Sequence, residues 1–319
     1  MKKTLTYILA VALAAVSCHR IDPEGGHLAI GFATLETKAG ATADNISASG
    51  SAFVVRGSES AGATWNSSSA AAVFDGVTVT SNGTEWTYSP LRYWIPESAY
   101  HFRAVWPAGA FSGTGAATYA DALSEAGASI TGFTVAQNPA DQKDLLLSNL
   151  AGVTTDAVGT PSSDPVQLQF SHILSNVQFV VKVDDDGEDT YLQGISISSI
   201  KPSGSYTYSG SAYAWTPTGS AVAFTQDLTS SAILTEEFPT AAQCEMFMIP
   251  QTIADGVTIE LTYKLGSAAA TTQTLHTAAN TEWLPGKKYI YQISIASAEI
   301  EFTAKVIDWI DGTTVTLTK

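Results

Sequence analysis

From residue 28 onward the chain is written in short runs whose apolar side chains fall at every second position, each closed by Gly, Pro or Asn. Leu28-Ala-Ile-Gly-Phe-Ala-Thr-Leu is typical: Leu28, Ile30 and Phe32 share one face, with small residues between them. A period of two fits a strand with one buried face. Wound into a helix, it would scatter the same side chains around the axis. Runs of this kind recur at 51–56, 72–74, 77–80, 85–88, 100–106, 166–170, 177–183, 192–200, 246–249, 257–263, 288–295 and 299–306. Asn82-Gly83 separates two of them and reads as a hairpin turn, because both residues tolerate positive φ. Only 120–126 and 141–147 could hold a turn or two of helix. The crossover helices of a parallel α/β sheet are therefore missing. The pattern predicts an all-β protein made of β-sandwiches.

The stretch from Gly152 to Pro165 is polar and rich in chain breakers. It cuts the body into segments 39–160 and 161–319, each with about seven or eight strand candidates, enough to close a two-sheet core. The alternative is a long loop there, with the boundary some twenty residues away.

The N-terminus points to export. Lys2 and Lys3 precede an uncharged, largely apolar run from Leu5 to Val16, which is shorter than the roughly 20 residues that span a bilayer. It fits a secretory signal of residues 1–17. Ala15-Val16-Ser17-Cys18 places small residues directly before a cysteine, as acylation of Cys18 by the lipoprotein pathway needs. The second cysteine, Cys244, lies in a strand-like run and fits a small buried hydrophobe. The fold is then held by apolar burial and not by cross-links. The formal net charge of −15 argues against nucleic acid, whose phosphates require Lys and Arg. With 14% charged residues, Ser, Thr, Ala and Gly must cover the solvent faces. No basic cluster offers binding to anionic lipid, so attachment would run through the acyl chains.

Signals of catalysis are weak. His19, His27, His101, His172 and His276 show no metal-ligand spacing. His172 reads as a strand-end histidine bonded to backbone. No nucleophile elbow, phosphate loop or dinucleotide fingerprint is present. The chain thus reads as a non-enzyme without cofactors. Asp184 and Asp186, in the acidic run 184–189, are weak Ca²⁺ candidates that fit a solvated turn better. Trp86, Tyr88, Tyr93 and Trp94 could form a sugar platform but fit a core better.

Asp144-Leu-Leu-Leu-Ser, Val166-Gln-Leu-Gln-Phe-Ser-His-Ile-Leu-Ser-Asn-Val-Gln-Phe and Phe247-Met-Ile-Pro-Gln together resemble the fimbrillin family of the Bacteroidetes. These are the subunits and minor components of type V, donor-strand pili. Trp283-Leu-Pro-Gly-Lys-Lys-Tyr-Ile-Tyr resembles a strand start of that family, and Val306-Ile-Asp-Trp309 its closing strand. Ile30-Gly-Phe followed by Thr37-Lys38-Ala39 resembles its first strand and processing site. The resemblance implies two tandem transthyretin-like Greek-key β-sandwich domains. It implies a lipoprotein of the outer membrane and cell surface, cut between Lys38 and Ala39 so that the pro-segment 18–38 leaves. The family usually has Arg where this chain has Lys38. Leu28, Ile30 and Phe32 would be the displaced strand, and a strand from another fimbrial subunit would fill the groove. Val315 and Leu317 are candidates for this chain's own donor strand, or for the last strand of its second sandwich. The other reading is a monomeric surface lipoprotein that binds a glycan or a host protein.

Overall fold

The computed structural model describes residues 26–36, 46–124, 127–184, 189–209, 213–228, 233–295, 300–308 and 314–315. Cys18, Lys38, Ala39, Asp186 and Leu317 lie outside them.

A little over half of the described residues lie in β-strands. In chain order these are β1 (Phe32–Glu36), β2 (Ala52–Ala61), β3 (Ala71–Ser81), β4 (Trp86–Thr87), β5 (Ser98–Trp106), β6 (Thr118–Asp121), β7 (Ala128–Thr134) and β8 (Leu146–Ser148). Then come β9 (Ala151–Thr154), β10 (Val166–His172), β11 (Ser175–Val183), β12 (Thr190–Ile200), β13 (Ser203–Tyr208), β14 (Tyr213–Thr218) and β15 (Val222–Asp227). The last are β16 (Cys244–Met248), β17 (Gln251–Ile253), β18 (Thr258–Leu265), β19 (Thr271–His276), β20 (Thr281–Trp283), β21 (Lys287–Ile295), β22 (Ile300–Asp308) and β23 (Thr314–Val315). Among the described residues, helical structure is confined to 3₁₀ turns at Ala108–Phe111 and Pro139–Asp141.

The first sheet runs β1-β10-β8-β5-β2-β3-β4, with β9 also paired to β5. Three further sheets run β16-β11-β21-β22-β23, β15-β12-β18-β19 and β14-β13-β7-β6, and β17 pairs with β20 alone. Most ladders are antiparallel. The exceptions are β1 with β10 and β11 with β21. The Asn82-Gly83 turn forms as expected: Gly83 has φ +91° and Asn82 Oδ1 accepts from the N–H groups of Thr84 and Glu85. That turn sets the register of Ser81 against Trp86.

Burial follows the alternation. On β2, Phe53 and Val55 enter one core while Val54 enters a second. β5 does the same, Tyr100, Phe102, Ala104 and Trp106 facing the first core and Val105 the second. A sheet covered on both faces needs strands with few exposed positions, and β5 has none. The second core is built mainly from β11, β12, β16, β18 and β21.

The halves of the chain interlock. β10 lies beyond residue 160 in sequence yet is bonded between β1 and β8, so the first sheet extends to His172. The hairpin β6–β7 comes from the first half yet pairs with β13 of the second. It also corrects the expected helical turn over 120–126, since Thr118–Asp121 is strand. At 141–147 a single 3₁₀ turn, Pro139–Asp141, precedes β8. The hairpin is fixed by a buried ion pair: Arg103 Nη1 on β5 donates to both carboxylate oxygens of Asp121 at 3.1 Å. Their side chains are 1% and 0% exposed. Asp121 also accepts from the Tyr119 hydroxyl at 2.8 Å, and Tyr208 of β13 lies under the guanidinium.

Candidate functional site

The N-terminal segment is the feature of this fold that most invites a function. Its sequence alternates and so extends, but it does not make one continuous strand. Leu28 to Ile30 runs antiparallel to residues 92–94: Ile30 N–H donates to Arg92 O at 2.9 Å, and Trp94 N–H donates to Leu28 O at 3.0 Å. From Phe32 the chain turns to the other side and forms β1, parallel to β10, with Phe32 opposite Val166 and Glu36 opposite Phe170. Val166 N–H donates to Gly31 O at 2.8 Å at the crossing point. The segment therefore stitches residues 92–94 to the edge of the first sheet.

Its side chains fill the first core from the edge. Ile30 is 1% exposed, Phe32 is 5% exposed, and Leu28 packs half-buried beside them. The Phe32 ring is caged by Phe53, Phe74, Tyr88 and Phe102, with centroids at 6.0, 5.3, 5.9 and 5.9 Å and edge-on geometry throughout. Edge-to-face pairs of this kind each add about 0.5–1.5 kcal/mol beyond area burial. The cage needs Gly57 on β2, because a Cβ there would stand 2.5 Å from the Phe102 ring. Tyr88 reaches over the segment and donates from its hydroxyl to Ile30 O at 2.8 Å. Burial pushes the Tyr88 hydroxyl up to about 12, outweighing the opposing bond that the oxygen accepts from Arg92 N–H.

The other candidate residues fall elsewhere. Val315 is paired with Val306, so the described C-terminal strand β23 lies at the outer edge of the sheet that contains β21 and β22. Asp184 is bonded to Lys182 and to Ser294, which hold its carboxyl below the usual range. No cluster of three metal-ligating side chains exists among the described residues. Cys244 is 2% exposed in β16, and burial pushes its thiol to about 12, an inert packing role. The aromatics read as core in preference to a sugar platform do belong to the core: Trp94 is 1% exposed, and Trp86 and Tyr88 pack against the same cluster. His172 donates from Nδ1 to the Asp144 carboxylate, a partner that its place at a strand end did not name. Sequence reading missed the role of residues 92–94, where Arg-Tyr-Trp carries no alternation to announce it.

The fimbrillin-like family profile matches residues 37–309. A fimbrial protein from Bacteroides vulgatus superposes with a TM-score of 0.59 at 18% identity, over 88% of this chain and 99% of that one. A candidate cell adhesion protein from Bacteroides uniformis gives 0.56 at 20% identity, over 90% and 100%. A similar candidate from Bacteroides ovatus gives 0.54 at 16%, over 89% and 98%. At such identities the likeness speaks for the fold. No curated protein matches the chain. The profile spans nearly the whole body from just past β1 to just past β22, and on that match the chain belongs to the fimbrillin-like family.

Proposed function

We propose that this protein is a structural subunit of a cell-surface fimbria whose N-terminal strand is a temporary occupant of its own first sheet. The observation that carries this reading is the position of Phe32. It is a core residue by burial, yet it sits on a five-residue strand at the edge of the first sheet. Lys38-Ala39 follows two residues after that strand ends. A cut there would leave Leu28, Ile30 and Phe32 held by non-covalent contacts alone. Burying each such side chain stabilises by roughly 1.5–3 kcal/mol. An emptied groove would thus be costly, and a strand from another fimbrial subunit would relieve it through main-chain bonds and alternate side chains.

In this account Cys18 carries the lipid that holds the precursor at the outer membrane, and Val315 and Leu317 belong to the donor strand. A lateral position favours that role for β23, since Thr314 and Val315 would have to leave one neighbour only. The two cores correspond to two transthyretin-like Greek-key sandwiches, β10 completing the first and the β6–β7 hairpin lent to the second. Adhesion would follow from display on the filament, and the protein acts by assembly and not by catalysis.

The test is limited trypsin digestion of the chain from residue 19 onward, followed by mass spectrometry and gel filtration. Cleavage after Lys38 with high-mass, heat-resistant oligomers supports the proposal. Cleavage there with a persistently monomeric product removes self-polymerisation and leaves a capping role. Resistance at Lys38 in an inert monomer contradicts the proposal and favours a monomeric binding module.

A further inference from the structure

The second half of the chain carries an open cleft of about 780 Å³ between β14, the β17–β20 pair and the turn joining β12 to β13. Its volume lies in the ordinary range of small-ligand sites, roughly 300–1,000 Å³. Two of the large apolar side chains that the fold leaves exposed line it: Tyr213 at 58% and Leu284 at 42%. Tyr213 and Trp215 are two residues apart on β14, so both project to one face about 6.6 Å apart. Neither ring is loose. Tyr213 stacks on Tyr208 with centroids 5.9 Å apart and planes 17° apart. Trp215 donates from Nε1 to Ile173 O at 2.7 Å and packs on Tyr206.

Around these rings stand Lys201, Asp255 and Glu282, whose side chains make no hydrogen bond or ion pair with the described residues. We propose that this cleft binds an uncharged saccharide. A pyranose offers an apolar C–H face for a fixed aromatic ring and hydroxyls for flanking carboxylates and ammonium. Two carboxylates against one ammonium repel anionic sugars. An extended peptide is disfavoured because β14, an edge strand, contains Pro217, which interrupts any added main-chain ladder. The site is independent of the N-terminal cradle and would give the subunit a ligand of its own.

The experiment is isothermal titration of the full chain from residue 19 with cellohexaose, mannohexaose, xylohexaose and the neutral glycan fraction released from mucin. Sialyllactose and decaproline are run beside them. At least one neutral probe should bind. Tyr213→Ala and Glu282→Ala should each weaken it by about tenfold or more. Val158→Ala, an exposed apolar residue outside the cleft, should leave it unchanged, and the Tyr213→Ala circular dichroism spectrum should match the parent. Failure of every neutral probe at millimolar concentration overturns the proposal. So does preferential binding of sialyllactose or decaproline, or binding that survives Tyr213→Ala.

Discussion

His172 donates from Nδ1 to Oδ2 of Asp144, which ties the last residue of β10 to the chain just ahead of β8. Asp144 is 4% exposed, and its other oxygen accepts Leu145 N–H at 2.7 Å. Next to it, Ile173 N–H donates to Leu145 O at 3.0 Å. The pair thus fixes β8 against β10, the strand on which β1 rests. Hydrogen bonds to charged groups contribute about 1.5–3 kcal/mol. Asp144→Ala should lose about that much in urea unfolding, and Asp144→Asn should recover part of it. An Asp144→Asn variant as stable as the parent would show that the charged oxygen facing His172 contributes nothing, whereas equal losses in both variants would assign the whole effect to that oxygen.

The Arg103–Asp121 pair fixes the β6–β7 hairpin that both halves share. Removing one partner strands a buried charge, so Asp121→Ala should cost about 3–5 kcal/mol. Arg103→Met combined with Asp121→Leu should cost less than Asp121→Ala alone, because no lone charge remains. A double-mutant cycle by chemical denaturation reads the difference. Strict additivity would contradict the coupling.

Gly57 serves the aromatic cage and not a turn. Gly57→Ala would drive a methyl into the Phe102 ring, and overpacking of this kind costs about 1–3 kcal/mol. Phe32→Ala should cost about 3–5 kcal/mol in the intact chain. If β1 departs on processing, the Phe32→Ala penalty should vanish in assembled material while the Gly57→Ala penalty stays. Thermal unfolding of both variants before and after trimming separates the two effects.

Alkaline pH should open the fold cooperatively. Tyr100, Tyr289 and Tyr291 are buried, and burial pushes each hydroxyl from 10.0 to about 12. The folded chain therefore keeps protons that the unfolded chain loses. Stability from these groups is intact below pH 10 and declines as pH rises from there toward 12, by at most about 1.4 kcal/mol per pH unit for each tyrosine. Absorbance at 295 nm and circular dichroism should change together. Independent titration of all tyrosines near 10 in a still-folded protein would contradict the burial.

Much of the fold was legible because period-two alternation survives wherever one strand face meets a core. The runs at 100–106, 177–183 and 288–295 became β5, β11 and β21. β19 and β14 escaped notice because their side chains are largely exposed, so no buried apolar face stands out in Thr-Thr-Gln-Thr-Leu-His or Tyr-Ala-Trp-Thr-Pro-Thr. The pairing of β7 with β13 was illegible for another reason: neither strand names its partner, and register depends on a surface assembled from distant residues. At the site, Ile30 and Phe32 announced their burial by spacing. The crossing from residues 92–94 to β10 did not, since one unbroken alternation reads as one strand.

The account rests on β1 leaving the body when subunits join. Native mass spectrometry of the trypsin-treated chain measures this directly. Monomers should retain the fragment ending at Lys38, and oligomers should weigh whole multiples of residues 39–319 without it. Oligomers that keep one fragment per subunit would contradict strand replacement.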